Sequence, residues 1–150
     1  MKKLLISLPI LGTVWFVIPF LLIWLNNYFG LPVIDNTVTK FIGLLLFTAG
    51  FLVVLYFTRL HLETGRTTPL PLIEPPKSLI AGGLYKYSRN PMYIAIMTTF
   101  LGEFLLFGYL LLLIYPLISF IILHLFITFV EEPELKKKLG NEYIEYTKRV

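Results

Sequence analysis

The chain contains no cysteine and little charge. Without cysteine there is no thiolate metal site and no cysteine nucleophile. Charged residues make up 15% of the 150 positions, against about 25% in ordinary soluble domains, while hydrophobic residues reach 57% and the mean hydropathy is +0.78. A polypeptide so apolar does not stay in water, and its length fits one compact membrane-embedded domain over residues 1–150. There is no internal repeat and no low-complexity tract beyond the leucine-rich runs themselves. The net charge of +4 is enough to set topology and attract anionic lipid, and it calls for no nucleic-acid partner.

Crossing a hydrocarbon core of about 30 Å takes roughly 17–25 apolar residues. Runs of that order predict four transmembrane helices at about 5–24, 39–60, 92–107 and 109–130, an all-α bundle. Lys2 and Lys3 before the first run resemble a signal peptide, but no small-residue cleavage site follows and the run continues through Pro19 to Trp24, so it reads as a retained anchor. Twelve of the thirteen Lys and Arg fall in the N-terminus, the 59–89 region or the tail, and only Lys40 lies elsewhere. The positive-inside rule then places both termini and the 61–90 connector in the cytoplasm. A bacterial inner membrane and an endoplasmic reticulum membrane satisfy this pattern equally. The connector carries Pro69, Pro71, Pro75 and Pro76, which disfavour helix and suggest an ordered flap on the membrane surface.

Two polar segments stand out, Gly83 to Tyr93 (GLYKYSRNPMY) and Glu131 to Tyr146 (EEPELKKKLGNEYIEY). Between them the only turn signal is Phe107-Gly108-Tyr109. Tyr85 and Glu131 each lie 23 residues from Gly108, so a hairpin folded there returns both to the same depth, about 34 Å from the turn. Arg, Asn, Tyr and Glu side chains are thereby expected to converge at one membrane face. In the tail, Leu135, Leu139, Tyr143 and Tyr146 recur at helical spacing and predict an amphipathic helix lying on the membrane surface.

The same residues carry a resemblance. Gly83-Leu84-Tyr85, Arg89-Asn90-Pro91-Met92-Tyr93, Glu131-Glu132-Pro133-Glu134-Leu135 and Gly140-Asn141-Glu142-Tyr143-Ile144-Glu145-Tyr146 are similar to the paired motifs of the isoprenylcysteine carboxyl methyltransferase and phospholipid methyltransferase superfamily. Its members are integral-membrane enzymes that use S-adenosylmethionine. The resemblance covers roughly the C-terminal half. It implies cofactor contacts from Lys77, Ser78, Leu79 and Ile80, which match by spacing, then from Tyr85, Asn90, Pro91, Met92, Tyr93 and Glu131. Asn90 stands where the family usually has histidine, and Ile127 where many relatives have an arginine associated with the methyl acceptor.

S-adenosylmethionine presents an adenine, a ribose diol, a sulfonium and an amino acid tail. Tyr85, Tyr87 and Tyr93 supply aromatic walls or cation–π contact, Glu131 an acceptor for ribose or ammonium, and Arg89 or the first backbone N–H groups of the third helix a partner for the carboxylate. The sulfonium is already an activated leaving group, so catalysis is mainly in-line positioning in a dry site and needs no metal. Arg89, Glu131 and Glu132 are the catalytic candidates, the carboxylates serving as base if the acceptor is an amine. A carboxylate acceptor, as in prenylcysteine, needs no base. The expected partners are membrane lipid and a hydrophobic acceptor entering from the bilayer.

Each residue also has a plainer reading. Arg89 and Lys86 serve equally as cytoplasmic flank, the tyrosines as an interfacial belt, and Glu131 and Glu132 as the start of a polar tail. Glu103 and His124 are the strongly polar residues inside the hairpin spans. Glu103 lies level with Tyr115 as a possible hydrogen-bond partner, and His124 lies level with Met92 and Tyr93, a candidate for substrate contact or for simple packing. A membrane scaffold that has lost catalysis is the alternative function. A transporter ranks last, because the first two spans carry almost no polar side chains.

Overall fold

Two prolines shape the helices locally. The computed structural model describes residues 12–63, 79 and 81–150. The beginning of the first predicted span, the proline-rich flap and the candidates Lys77, Ser78 and Ile80 lie outside them. Helix α1 (Thr13–Tyr28) opens with a π-helical turn over Thr13–Val17, in which the Ile18 N–H reaches back to the Thr13 carbonyl. Pro19 follows at once, lacking an N–H and unable to accommodate an ordinary α-helical carbonyl beneath its ring. The same arrangement recurs near the other end of the chain, where the Glu132 N–H reaches the Ile127 carbonyl across a π turn at Ile127–Glu131 and Pro133 comes next.

The remaining helices are α2 (Thr37–Glu63), α3 (Pro91–Phe107), α4 (Leu110–Leu139) and the short α5 (Asn141–Thr147). Asn36 caps α2 through its Oδ1, which accepts the Val38 N–H at 2.8 Å. The described elements are all helical apart from one isolated bridge between Val33 and Tyr109. Two helices, 37–60 within α2 and all of α4, are long and apolar enough to cross a membrane, and α1 and α3 are shorter apolar helices. Against the sequence expectation, α1 runs on to Tyr28 and α4 continues without interruption past Val130. Glu131 and Glu132 therefore sit inside a helix rather than at the start of a polar tail.

Helices α2 and α3 are antiparallel and make the largest interface. They approach so closely that a Cβ on Gly43 would strike the backbone at Leu105 and Leu106, and one on Gly102 the backbone of Phe47. Small residues permitting backbone approach are the usual means of helix association in lipid. A row of rings ties the other helices to this pair. Trp15 of α1 meets Phe51 of α2 edge-on at 5.8 Å and Phe100 of α3 at 5.1 Å, and Phe100 stacks on Tyr115 of α4 at 4.2 Å. The Tyr115 hydroxyl donates to the Val14 carbonyl and not to Glu103, which is buried nearby. Much of α2 and α4 faces outward with Phe41, Leu45, Leu52, Phe120, Ile121 and Phe129 exposed, a surface suited to hydrocarbon rather than water.

The α3–α4 hairpin turns at Gly108, as its sequence predicts. Gly108 takes φ +73° and its N–H caps α3 on the Phe104 carbonyl at 2.8 Å, while its own carbonyl accepts the Ile34 N–H at 2.8 Å. Beside it, the fully buried Asn26 donates to the Leu31 carbonyl at 3.0 Å and accepts the Leu111 N–H at 3.1 Å, pinning the end of α1 to the start of α4. A Cβ at Gly108 would collide with the Ile34 carbonyl oxygen. Gly108→Ala thus combines a left-handed backbone penalty of about 1–2 kcal/mol with overpacking of about 1–3 kcal/mol. Gly30, at φ +62° with open space around it, incurs only the first. Denaturant titration in detergent should show Gly108→Ala losing clearly more stability than Gly30→Ala; equal losses would contradict this account of the turn.

Candidate functional site

At the end of the hairpin opposite Gly108, the two polar segments meet. Gly82 and Gly83, the latter at φ +58°, turn the chain into a single 3-10 turn at Gly83–Lys86. This turn sets the Tyr85 ring edge-on against Phe57 near the end of α2, with centroids 5.4 Å apart, and Phe57 is wholly buried. Ser88 Oγ accepts the Asn90 N–H at 3.1 Å, and Asn90 takes a non-helical backbone at φ −134°, ψ 59° just before α3. The Asn90 carbonyl then accepts the first N–H groups of α3, from Tyr93 and Ile94, and Pro91 occupies the first helical position, where no N–H is required.

Two side-chain contacts bridge from here to α4. The Tyr93 hydroxyl donates to Glu131 Oε2 at 2.9 Å, and Arg89 donates to Glu132 Oε1 at 2.6 Å, with Lys136 a further 3.6 Å from the other Glu132 oxygen. Consecutive helical residues point about 100° apart, and the π turn ending at Glu131 helps both carboxylates face the start of α3. Five of the residues singled out in the sequence, Arg89, Asn90, Tyr93, Glu131 and Glu132, are thus assembled at one end of the bundle. Tyr85 stands behind them against Phe57, and Met92 is buried. His124 stacks on Phe120 with centroids 6.0 Å apart and lines a groove of about 360 Å³ between α3 and α4 together with Asn90, Tyr93 and Ile127.

The tail differs from the expectation of a surface helix. Gly140, at φ +54°, breaks it into the end of α4 and α5. Leu135, Tyr143 and Tyr146 are buried against one another, with Leu79, Leu139 and Val150 packed around them. The apolar stripe turns toward protein rather than lipid, because Leu79 and the turn bearing Tyr85 and Ser88 lie beside it. Leu79, a sequence-predicted cofactor residue, is one of its contacts. The Tyr146 hydroxyl donates to the Tyr85 carbonyl at 2.7 Å and also reaches that of Ser88 at 3.5 Å. Periodicity identified Tyr146 as a packing residue, but it gave no sign that the hydroxyl reaches back across 61 positions to hold the turn bearing Tyr85.

Removing that hydroxyl in Tyr146→Phe should reduce stability by about 1 kcal/mol and speed tryptic cleavage after Lys86; unchanged cleavage would show that the turn holds itself. Burial, reinforced by Glu132 and opposed by Arg89, pushes the Tyr143 phenol from 10.0 up to about 12. Burial likewise raises Tyr146, again with Arg89 opposing. A raised folded-state pKa gives stability that is intact below pH 10 and lost as pH climbs toward about 12. Tyr143→Phe should flatten that alkaline decline in a pH series of unfolding midpoints, and an unaltered slope would assign the decline to other groups.

No curated protein and no solved structure matches the chain significantly. The phospholipid methyltransferase family matches it over residues 38–142, from the start of α2 to the start of α5, including the motif residues at the hairpin's polar end up to Glu142. With well over half of its length in that match, the chain belongs to the phospholipid methyltransferase family, within the isoprenylcysteine carboxyl methyltransferase and phospholipid methyltransferase superfamily.

Proposed function

We propose that this protein transfers a methyl group from S-adenosylmethionine to a lipid or small hydrophobic acceptor at the cytoplasmic face of a membrane that it crosses four times, with both termini cytoplasmic. Family membership implies a membrane methyltransferase acting on lipids. The observation that carries the reading further is the closure of the hairpin's polar end by the Tyr93–Glu131 and Arg89–Glu132 contacts. It gathers an aromatic wall, two carboxylates and a guanidinium where hydrocarbon-facing helices end. The donor set fits the cofactor: Tyr85 and Tyr93 offer ring faces or edges, Glu131 accepts from ribose or ammonium, and Arg89 pairs with a carboxylate. Lys77, Ser78, Leu79 and Ile80 complete the proposed contacts.

When bound, the cofactor supplies a methyl group already activated by its sulfonium. The protein's part is to hold acceptor and methyl in line and to keep water away. Tyr93 orients the Glu131 carboxylate, which retains lone pairs for a further donor after accepting one hydrogen bond. Glu132 restrains Arg89 in the same way. Asn90 donates and accepts without titrating, so no proton is routed through the position where relatives have histidine. The α3–α4 groove reaches this cluster past Ile127, Leu123 and Phe120. With Ile127 in place of arginine it offers no cationic partner to an anionic acceptor, which favours an amine whose proton passes to Glu131 or Glu132. His124, lining the same groove, is positioned to contact the acceptor.

Isothermal titration of S-adenosylhomocysteine into detergent-purified protein tests the reading. Micromolar binding is expected, weakened at least tenfold by Glu131→Ala, a change equivalent to about 1.4 kcal/mol or more, and less by Tyr93→Phe. Absence of binding by folded wild-type protein would favour the scaffold that has lost catalysis, a reading that Asn90 and Ile127 otherwise support.

A further inference from the structure

The α3–α4 groove is lined mainly by apolar side chains, and its few polar groups differ in what they can do with a proton. Ser88, Asn90 and Thr98 do not titrate near neutral pH. The Thr98 hydroxyl is committed to the Ile94 carbonyl at 2.8 Å, and the Tyr93 hydroxyl to Glu131 Oε2 at 2.9 Å. That leaves His124, the one lining residue of a type that takes up a proton in the neutral range. Its direction follows from helical phase. Phe120, Leu123, His124 and Ile127 recur at intervals of three, one and three residues, which is one face of α4. The imidazole lies within 9° of parallel to the Phe120 ring, with centroids 6.0 Å apart, and this stack sets its plane. Among the described residues, no hydrogen-bond or ion-pair partner occupies its nitrogens.

Neither Glu131 nor Glu132 lines this groove. Both are engaged at the polar end, Glu131 by Tyr93 and Glu132 by Arg89 at 2.6 Å and Lys136 at 3.6 Å. Along α4, Glu131 lies seven residues beyond His124, about 10 Å. The buried carboxyl of Glu103 on α3 is outside the groove as well, so Tyr93 is the other titratable side chain in its lining. An ammonium group entering from lipid thus meets His124 before it reaches the carboxylates, and ionisable side chains at membrane depth are functional by default. Resting on the methyl-transfer reading with an amine as acceptor, we propose that His124 is the general base of the reaction, in place of Glu131 or Glu132. Apolar walls disfavour the charged ammonium. Its N–H bond breaks and the proton passes to the imidazole. The freed lone pair then forms the N–C bond to the methyl carbon, while the electron pair of the broken S–C bond stays on sulfur. The products are a methylated ammonium and S-adenosylhomocysteine, and the imidazolium gives up its proton before the next turnover.

His124→Gln keeps a hydrogen-bonding side chain that takes no proton, and unchanged S-adenosylhomocysteine affinity would show that it folds. Two acceptors separate the roles of the residue: phosphatidylethanolamine, and an analogue whose headgroup ends in an aminooxy group, which is uncharged at neutral pH and needs no base. With phosphatidylethanolamine the variant should be about 100-fold slower at neutral pH, and with the aminooxy lipid it should be within about threefold of wild type. Wild-type turnover should level off above about pH 8, whereas the variant should keep rising because it depends on free amine. A readout independent of turnover comes from nitrogen NMR of isotope-labelled histidine. The chain has two histidines, His61 and His124, and the signal missing from the variant identifies the second. That signal should shift when phosphatidylethanolamine is added with S-adenosylhomocysteine, and stay in place with phosphatidylcholine, whose headgroup has no N–H. Equal slowing of both acceptors, unchanged rates, or binding of S-adenosylhomocysteine without methylation of either amine would overturn the base and leave methyl transfer standing. Failure of folded wild type to bind S-adenosylhomocysteine would remove the methyl-transfer reading and the base together.

Discussion

The geometry of the polar end depends on a backbone conformation at the opposite end of the bundle. Gly108 reverses the chain with a positive φ while pressed against the Ile34 carbonyl, and its carbonyl receives the Ile34 N–H. The α1–α2 connection is thus hydrogen-bonded to the α3–α4 turn through backbone groups that would otherwise be unsatisfied within an apolar environment. Asn26 does the same for the first turn of α4. With that end fixed, α3 and α4 run side by side, and Tyr93, 15 residues from Gly108, comes level with Glu131, 23 residues from it. Tyr93 and Glu131 can then meet without either segment having any intrinsic affinity for the other strong enough to build the site.

The sequence revealed the hairpin because its two requirements are local and conspicuous, an isolated glycine between long apolar runs and polar motifs at equal distances from it. It indicated that these segments converge, and Arg89, Tyr93, Glu131 and Glu132 do meet there, although the equidistant pair, Tyr85 and Glu131, is not the one in contact: Tyr93 reaches Glu131 and Tyr85 packs on Phe57. Their partners were less visible. That Arg89 pairs with Glu132 and Tyr93 with Glu131 depends on the rotation of α4, which apolar periodicity in a nearly all-apolar helix does not encode. The tail shows another limit. A stripe of Leu135, Leu139, Tyr143 and Tyr146 reports that one face is buried, but the pattern is identical whether that face meets lipid or protein. The structure places it on Leu79 and the Tyr85 turn, neither of which carries a periodic signal.

The π turn before Pro133 has a wider meaning for α4. A π turn takes up an additional residue, so the helix beyond it is phased about 100° differently from a straight continuation. Up to the start of the turn, Phe120, Leu123 and Ile127 form one wall of the α3–α4 groove. Above it, Leu135 and Leu139 face the protein-lined pocket around Tyr146. A single uninterrupted helix can in this way hold two apolar stripes, each phased for a different neighbour, with the paired carboxylates at the seam where one environment gives way to the other.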